Sequence, residues 1–174
     1  VYDRDGLERI RHKRLISVSE SAREDFLDFE LRGLITEAKC FHPFLFPERD
    51  VCLQTDVSRE PTVVVIGDSH AVHAYWGLSE RIAQAGGNLV VQGKGACVPL
   101  LDYPVGNDPN HCQPHFNQTL RRIAQDSNIR HVMIVYRGRY LPNASTPAQV
   151  QQFQQALQAT LALLLGSGKQ VDYY

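Results

Sequence analysis

Pro61-Thr62-Val63-Val64-Val65-Ile66-Gly67-Asp68-Ser69-His70 is the stretch from which the fold can be read. Val63 to Ile66 are four consecutive β-branched residues with no polar alternation, the pattern of a strand buried on both faces. Gly67-Asp68-Ser69-His70 then turns the chain. Ala71–Ala85 carries a helical pattern that Gly86-Gly87 ends, and Asn88–Gln92 reads as a second short strand. Two strands joined through a helix of this length are expected to run parallel, with a right-handed crossover.

The same alternation continues toward the C-terminus. Phe116–Ser127 reads as a helix with Leu120, Ile123 and Ala124 on one face, and Ile129–Tyr136 as a third buried strand. Pro147–Leu165 is a long helix with Ser145 or Thr146 as N-cap and Pro147 at its first position. Gly166-Ser167-Gly168 terminates it, and a fourth strand begins at Gln170–Tyr174. Alternating β and α elements predict a three-layer α/β/α sandwich around a parallel sheet.

Residues 1–39 differ: they are charged, and apolar residues recur at three- and four-residue steps in Leu7, Ile10, Leu15 and in Phe26, Phe29, Leu31, Leu34, Ile35. The expected organisation is a helical extension or linker over 1–39 and an α/β domain over 40–174. Because the chain opens on Val1 and stops within a strand, we read it as a piece of something longer, truncated at the C-terminus.

Composition narrows the function classes. In 174 residues, 18 Lys+Arg balance 19 Asp+Glu to a net charge of −1, which excludes the basic footprint of a nucleic-acid binder. A hydrophobic share of 43% with 21% charged residues excludes global disorder. Apolar runs such as Val63–Ile66 and Leu161–Leu165 fall far short of the roughly 20 residues of a membrane span.

The four cysteines form two local pairs: Cys40 and Cys52 lie 12 positions apart, Cys97 and Cys112 15. Both loops hold turn formers (Pro43 and Pro47; Pro99, Pro104, Gly106 and Pro109), and the spacing favours sequential disulfides. Free buried thiols and a metal site with His42, His111 or His115 are the alternatives, although no pair of the usual zinc-ligand spacing is present. Two disulfides would place the domain in an oxidising compartment.

Ligands of parallel α/β sheets bind at the carboxyl ends of the strands, where Gly67-Asp68-Ser69-His70 falls. Two roles suit Asp and Ser here. They can cap the helix, or the serine can serve as a nucleophile beside the positive helix N-terminus.

Taken together, Val63–Ala71 with its Gly-Asp-Ser-His turn, Ala96-Cys97-Val98-Pro99-Leu100, and the strand Val132–Val135 leading to Arg139-Tyr140 resemble the SGNH hydrolase-like domain. The version resembled is the one fused to bacterial membrane acyltransferases of family 3, which O-acylate cell-surface polysaccharides. The resemblance spans about Cys40 to Tyr174. It implies Ser69 as nucleophile and one oxyanion N–H donor. A second donor is implied in the glycines after the second strand, with Gly95 preferred to Gly93. Arg139 takes the place of the family's Asn as oxyanion or acceptor-binding group. The family's Asp-x-x-His block follows the last strand, so it is expected beyond Tyr174.

Asp108-Pro109-Asn110-His111 matches that block literally but lies only 39 to 42 positions after Ser69, inside the second cysteine loop, and is read as a decoy. His70 is expected to pack beneath the active-site loop, His73 to sit at the surface, and Tyr75 and Trp76 to belong to the core rather than to a sugar platform. The resemblance thus implies an acyltransferase domain passing an acyl group, most simply acetyl, through Ser69 to a polysaccharide hydroxyl. The acyl donor would come from a membrane region of the same parent protein, with no metal or organic cofactor, at the periplasmic or extracellular face. A carbohydrate esterase and a non-catalytic glycan-binding domain are the alternatives. Little activity is expected of the chain without its histidine block.

Overall fold

A computed structural model describes residues 40, 51–103, 108, 110–137 and 146–174, all within one compact unit, Ala38–Tyr174. The helical extension expected over 1–39, together with Arg139 and Tyr140, lies outside the described residues. In chain order the elements are β1 (Val51–Gln54), β2 (Val63–Gly67), α1 (Ser69–Gln84), β3 (Leu89–Gly93), α2 (Cys112–Gln125), β4 (His131–Val135), α3 (Pro147–Gly166) and β5 (Gln170–Tyr173).

The sheet has five strands in the order β1-β3-β2-β4-β5. Strands β3, β2, β4 and β5 are parallel, as the sequence predicts. The fifth is an edge strand that the sequence does not reveal: β1 pairs antiparallel with β3, setting Cys52 opposite Gln92. The second cysteine of the first loop therefore lies in an edge strand. The short run Val51-Cys52-Leu53-Gln54 gives no periodic signal of its own and gains strand character only by pairing.

Val63 and Val65 face one side of β2 and Val64 and Ile66 the other, and both sides are covered. On one side Val65, Val91 and Leu53 pack with Ala71 and Tyr75 of α1. On the other, Val64, Ile66, Val90, Val132 and Ile134 pack with Phe116, Leu120 and Ile123 of α2 and Phe153, Ala156 and Leu164 of α3. This is the three-layer sandwich. A continuous β-branched strand follows from it, because neither face of β2 meets water.

Helix α2 starts at Cys112, four residues before the expected Phe116, with Pro114 in its first turn. Proline is tolerated there because first-turn N–H groups have no helical acceptor anyway. The Asp108 carboxylate accepts from the Cys112 and Gln113 N–H groups at 2.8 and 3.0 Å and anchors that end. Helix α3 opens on Thr146, which forms a capping box with Gln149.

Asn88, expected as the first residue of a strand, instead organises the β1–β2 loop. Buried, it accepts from the Asp56 N–H at 2.9 Å and donates to the carbonyls of Asp56, Arg59 and Glu60. Lys169 is also buried, its ammonium donating to the carbonyls of Asp126 and Ile129.

The cysteines pair sequentially, Cys40 with Cys52 and Cys97 with Cys112, so their thiols are not available to a metal. The second bridge ties the loop after β3 to the start of α2. That loop is also held from α3: Thr160 Oγ1 accepts from the Leu101 N–H at 2.8 Å and donates to the Ala156 carbonyl.

Two expectations follow. A Cys97→Ala/Cys112→Ala double variant should lose about 3 kcal/mol by the loop-entropy model, read from urea denaturation. Gly67→Ala should cost about 3 kcal/mol or more, because its Cβ would stand 1.6 Å from the Val135 carbonyl oxygen. Wild-type stability in Gly67→Ala would contradict the close approach of β2 and β4.

Candidate active site

Gly67 is the last residue of the central strand β2. In register it lies beside Gly93 at the end of β3 and Val135 at the end of β4. The chain crosses from β2 to β3 on one side and reaches β4 on the other, so the strand order diverges at β2. Open α/β sheets bind ligands at such a divergence. Three segments leave the sheet here side by side: Asp68-Ser69, Lys94-Gly95 and Tyr136-Arg137. With strands about 4.8 Å apart, they are immediate neighbours at this end of the sheet.

Hydrogen bonds bind these segments into a unit. The Lys94 N–H donates to the Gly67 carbonyl at 2.8 Å. Asp68, only 1% exposed, is the N-cap of α1. Its Oδ1 accepts from the His70 N–H at 2.8 Å and lies 3.1 Å from the His70 Nδ1. Its Oδ2 accepts from the Arg137 N–H at 3.0 Å. One buried carboxylate therefore fastens the start of α1 to the loop after β4. The Asp68 carbonyl also accepts from the Ala71 N–H at 3.1 Å.

The consequence for Ser69 is exposure. Asp68 takes the capping position, so Ser69 becomes the first residue of α1 and its side chain meets solvent. The Ser69 N–H belongs to the first helical turn, whose N–H groups lack i−4 acceptors, and the helix dipole favours negative charge there. Gly95 is exposed in the turn after β3, with nothing within 4 Å of where a Cβ would stand, and among the described residues no hydrogen bond takes its N–H. Gly93 lies inside the strand, with Val72 Cγ2 only 2.4 Å from its notional Cβ. Lys94 and Arg137 bring cationic side chains to the flanking segments.

His70 corrects an expectation: rather than packing beneath the loop, it is half-exposed beside Ser69. His73 is at the surface, as expected. Trp76 is a second correction, because it is 44% exposed while its neighbour Tyr75 is buried. His111 is exposed, in a left-handed backbone conformation just before α2, and Asp108 is engaged with that helix. Their pattern match to an Asp-x-x-His block is thus explained by a helix start. Among the described residues, no histidine hydrogen-bonds to Ser69. The sequence had not marked Tyr136, buried at the end of β4, with its hydroxyl bonded to that of Tyr173. Burial first, then the Tyr173 hydroxyl, push the Tyr136 phenol far above its ordinary range.

An exposed serine at the first turn of a helix, at the strand divergence of a three-layer α/β/α sandwich, defines the class of fold and site. The family described as "SGNH domain (fused to AT3 domains)" matches residues 39–171, and the chain belongs to that family. It is also similar to the structure of the Salmonella ser. Paratyphi A lipopolysaccharide acetyltransferase periplasmic domain, at 16% identity and a TM-score of 0.49. The likeness covers 66% of this chain and 44% of that one, so the chain spans less than half of that structure. No curated protein sequence matches the chain.

Asp68→Ala should lose the cap, worth about 1 kcal/mol, and leave the Arg137 N–H unpaired, costing about 1–3 kcal/mol more. Asp68→Ser should restore only the cap, and urea denaturation of both variants checks the difference. Tyr136 predicts a pH effect. Its folded phenol stays protonated where the unfolded one ionises, so its stabilisation is complete below pH about 10 and is lost as pH rises above it. In Tyr136→Phe, the alkaline fall in stability should be shallower.

Proposed function

We propose that this domain transfers an acyl group, most simply acetyl, to a hydroxyl of a bacterial cell-surface polysaccharide through an acyl-enzyme on Ser69. The observation that carries this reading is the placement of Ser69. It is exposed at the N-terminus of α1, at the divergence of β3 and β4, on a turn held by the buried Asp68 carboxylate. Membership in a family fused to AT3 domains supports a membrane partner region as the source of the acyl group. Two disulfides suit the oxidising side of a membrane. Among the described residues, no helix is long and apolar enough to cross a membrane.

In this reading Ser69 Oγ attacks the acyl carbonyl while a base removes its proton. The oxyanion is met by the N–H groups of Ser69 and Gly95, each donor worth about 3 kcal/mol in the transition state. Arg139 is proposed as a further oxyanion or acceptor-binding group. The leaving group departs with a proton, and a sugar hydroxyl then attacks the acyl-enzyme, losing its own proton to the base and regenerating Ser69. The base is proposed to come from outside the described residues, since Asp108 is engaged with α2.

Fluorophosphonate treatment of the full-length protein, followed by peptide mass analysis, tests the nucleophile. Labelling is expected on Ser69, absent in Ser69→Ala and unchanged in His111→Ala. No labelling of Ser69 would remove the catalytic reading and leave Ser69 as part of a helix start. An acetyl-ester assay with and without an oligosaccharide acceptor then separates transfer from hydrolysis, and acetyl appearing only in water would make the domain an esterase.

A further inference from the structure

Helix α1 carries more than its first residue. Ala71, Tyr75, Leu78 and Ile82 recur at four, three and four residues and pack toward the sheet. Ser69, His73, Trp76 and Glu80 recur at the same steps on another face, and all four are exposed. At 1.5 Å per residue, Trp76 lies about 10 Å along the axis from Ser69, on the same side of the helix.

We infer that this face is a saccharide-binding surface, on which the Trp76 indole stacks against a pyranose ring of the acceptor chain beside the bare backbone at Gly77. The inference rests on the acyl-transfer reading for its orientation toward Ser69. Two independent features lead to it. The first is Trp76 itself, a large ring 44% exposed and off the apolar stripe of its helix, in edge-on contact with buried Tyr75 at 5.1 Å. The second is Gly77. Glycine inside a helix is less stable than alanine. Here no turn or positive φ requires it, and a Cβ would meet nothing within 4 Å. The sequence leaves this spot bare although the fold has no need of it.

The chemistry of the surroundings selects the occupant. The other exposed large apolar residues among the described ones are Val57, Val150, Leu165, Tyr173 and Tyr174, none of them on α1. Among the described residues, a single ring between His73 and Glu80 lacks the contiguous apolar area of a bilayer or protein contact. It suits a sugar, which offers an apolar C–H face and a rim of hydroxyls for the imidazole and carboxylate.

Trp76 is the sole tryptophan of the chain, so its fluorescence reports on this surface alone. Titration with maltohexaose, chitohexaose and xylohexaose should give a saturable emission shift with at least one of them. By saturation-transfer NMR that saccharide should lose at least tenfold in affinity to Trp76→Ala and remain within a few-fold for Trp76→Phe. Gly77→Gln separates binding from folding: it should raise the melting temperature while weakening the saccharide at least tenfold. The inference is overturned if none of the three saccharides shifts the emission, or if Trp76→Ala and Gly77→Gln bind as the wild type does. It is equally overturned if phosphatidylethanolamine/phosphatidylglycerol vesicles shift the emission and the saccharides do not. Failure of the catalytic reading appears elsewhere, as absent fluorophosphonate labelling of Ser69. A saccharide response without labelling would leave the surface as a glycan-binding site.

Discussion

The carbonyl oxygen of Val135 stands where any side chain on Gly67 would begin, 1.6 Å from the notional Cβ. Strands β2 and β4 approach each other there as bare backbone, and the last row of the sheet is Gly93, Gly67 and Val135. Everything at the candidate site hangs from this row. With no side chain at Gly67, the next residue turns directly into the gap between the layers. The buried Asp68 carboxylate can then reach forward to the helix and sideways to the loop after β4. Ser69 is left outside because its neighbour occupies the inside.

The same economy recurs in the connecting loops, where a few polar groups replace regular structure. Asn88 satisfies four backbone groups of the β1–β2 loop with one amide. Thr160 holds the Leu101 N–H across from α3, close to the chain that the Cys97–Cys112 bridge also fastens. The last two contacts support the loop that carries Gly95, so geometry at the site depends on packing some distance from it. Buried polar groups so well partnered add specificity to a core that apolar packing alone leaves permissive.

How legible each part was depended on whether its cause is local. The β-branched run Val63–Ile66 and the helix 147–166 announce themselves through pattern and caps, and both stand where the sequence puts them. Strand β1 does not, because four residues carry too little periodicity and its partner β3 is far along the chain. The start of α2 was hidden by Pro114, which looks like a breaker until Asp108 is seen satisfying the N–H groups around it. At the site, the Gly-Asp-Ser-His turn was visible as a motif. The reach of Asp68 to Arg137, 69 residues away, was not. Tyr75 and Trp76 are adjacent aromatics, and only the direction α1 faces tells which one is buried.

By itself the sequence determined the alternation of strands and helices and the turn that carries Ser69, and it favoured the sequential cysteine pairing that the structure shows. Each of these is written in neighbouring residues through backbone preference, hydrophobic period or loop length. The tertiary structure decided the antiparallel edge strand, the exposure of Ser69 and Trp76, and the engagement of Asp108 with a helix rather than a histidine. Those outcomes depend on which surfaces meet across long separations, and local preference carries no record of a partner that only folding brings near.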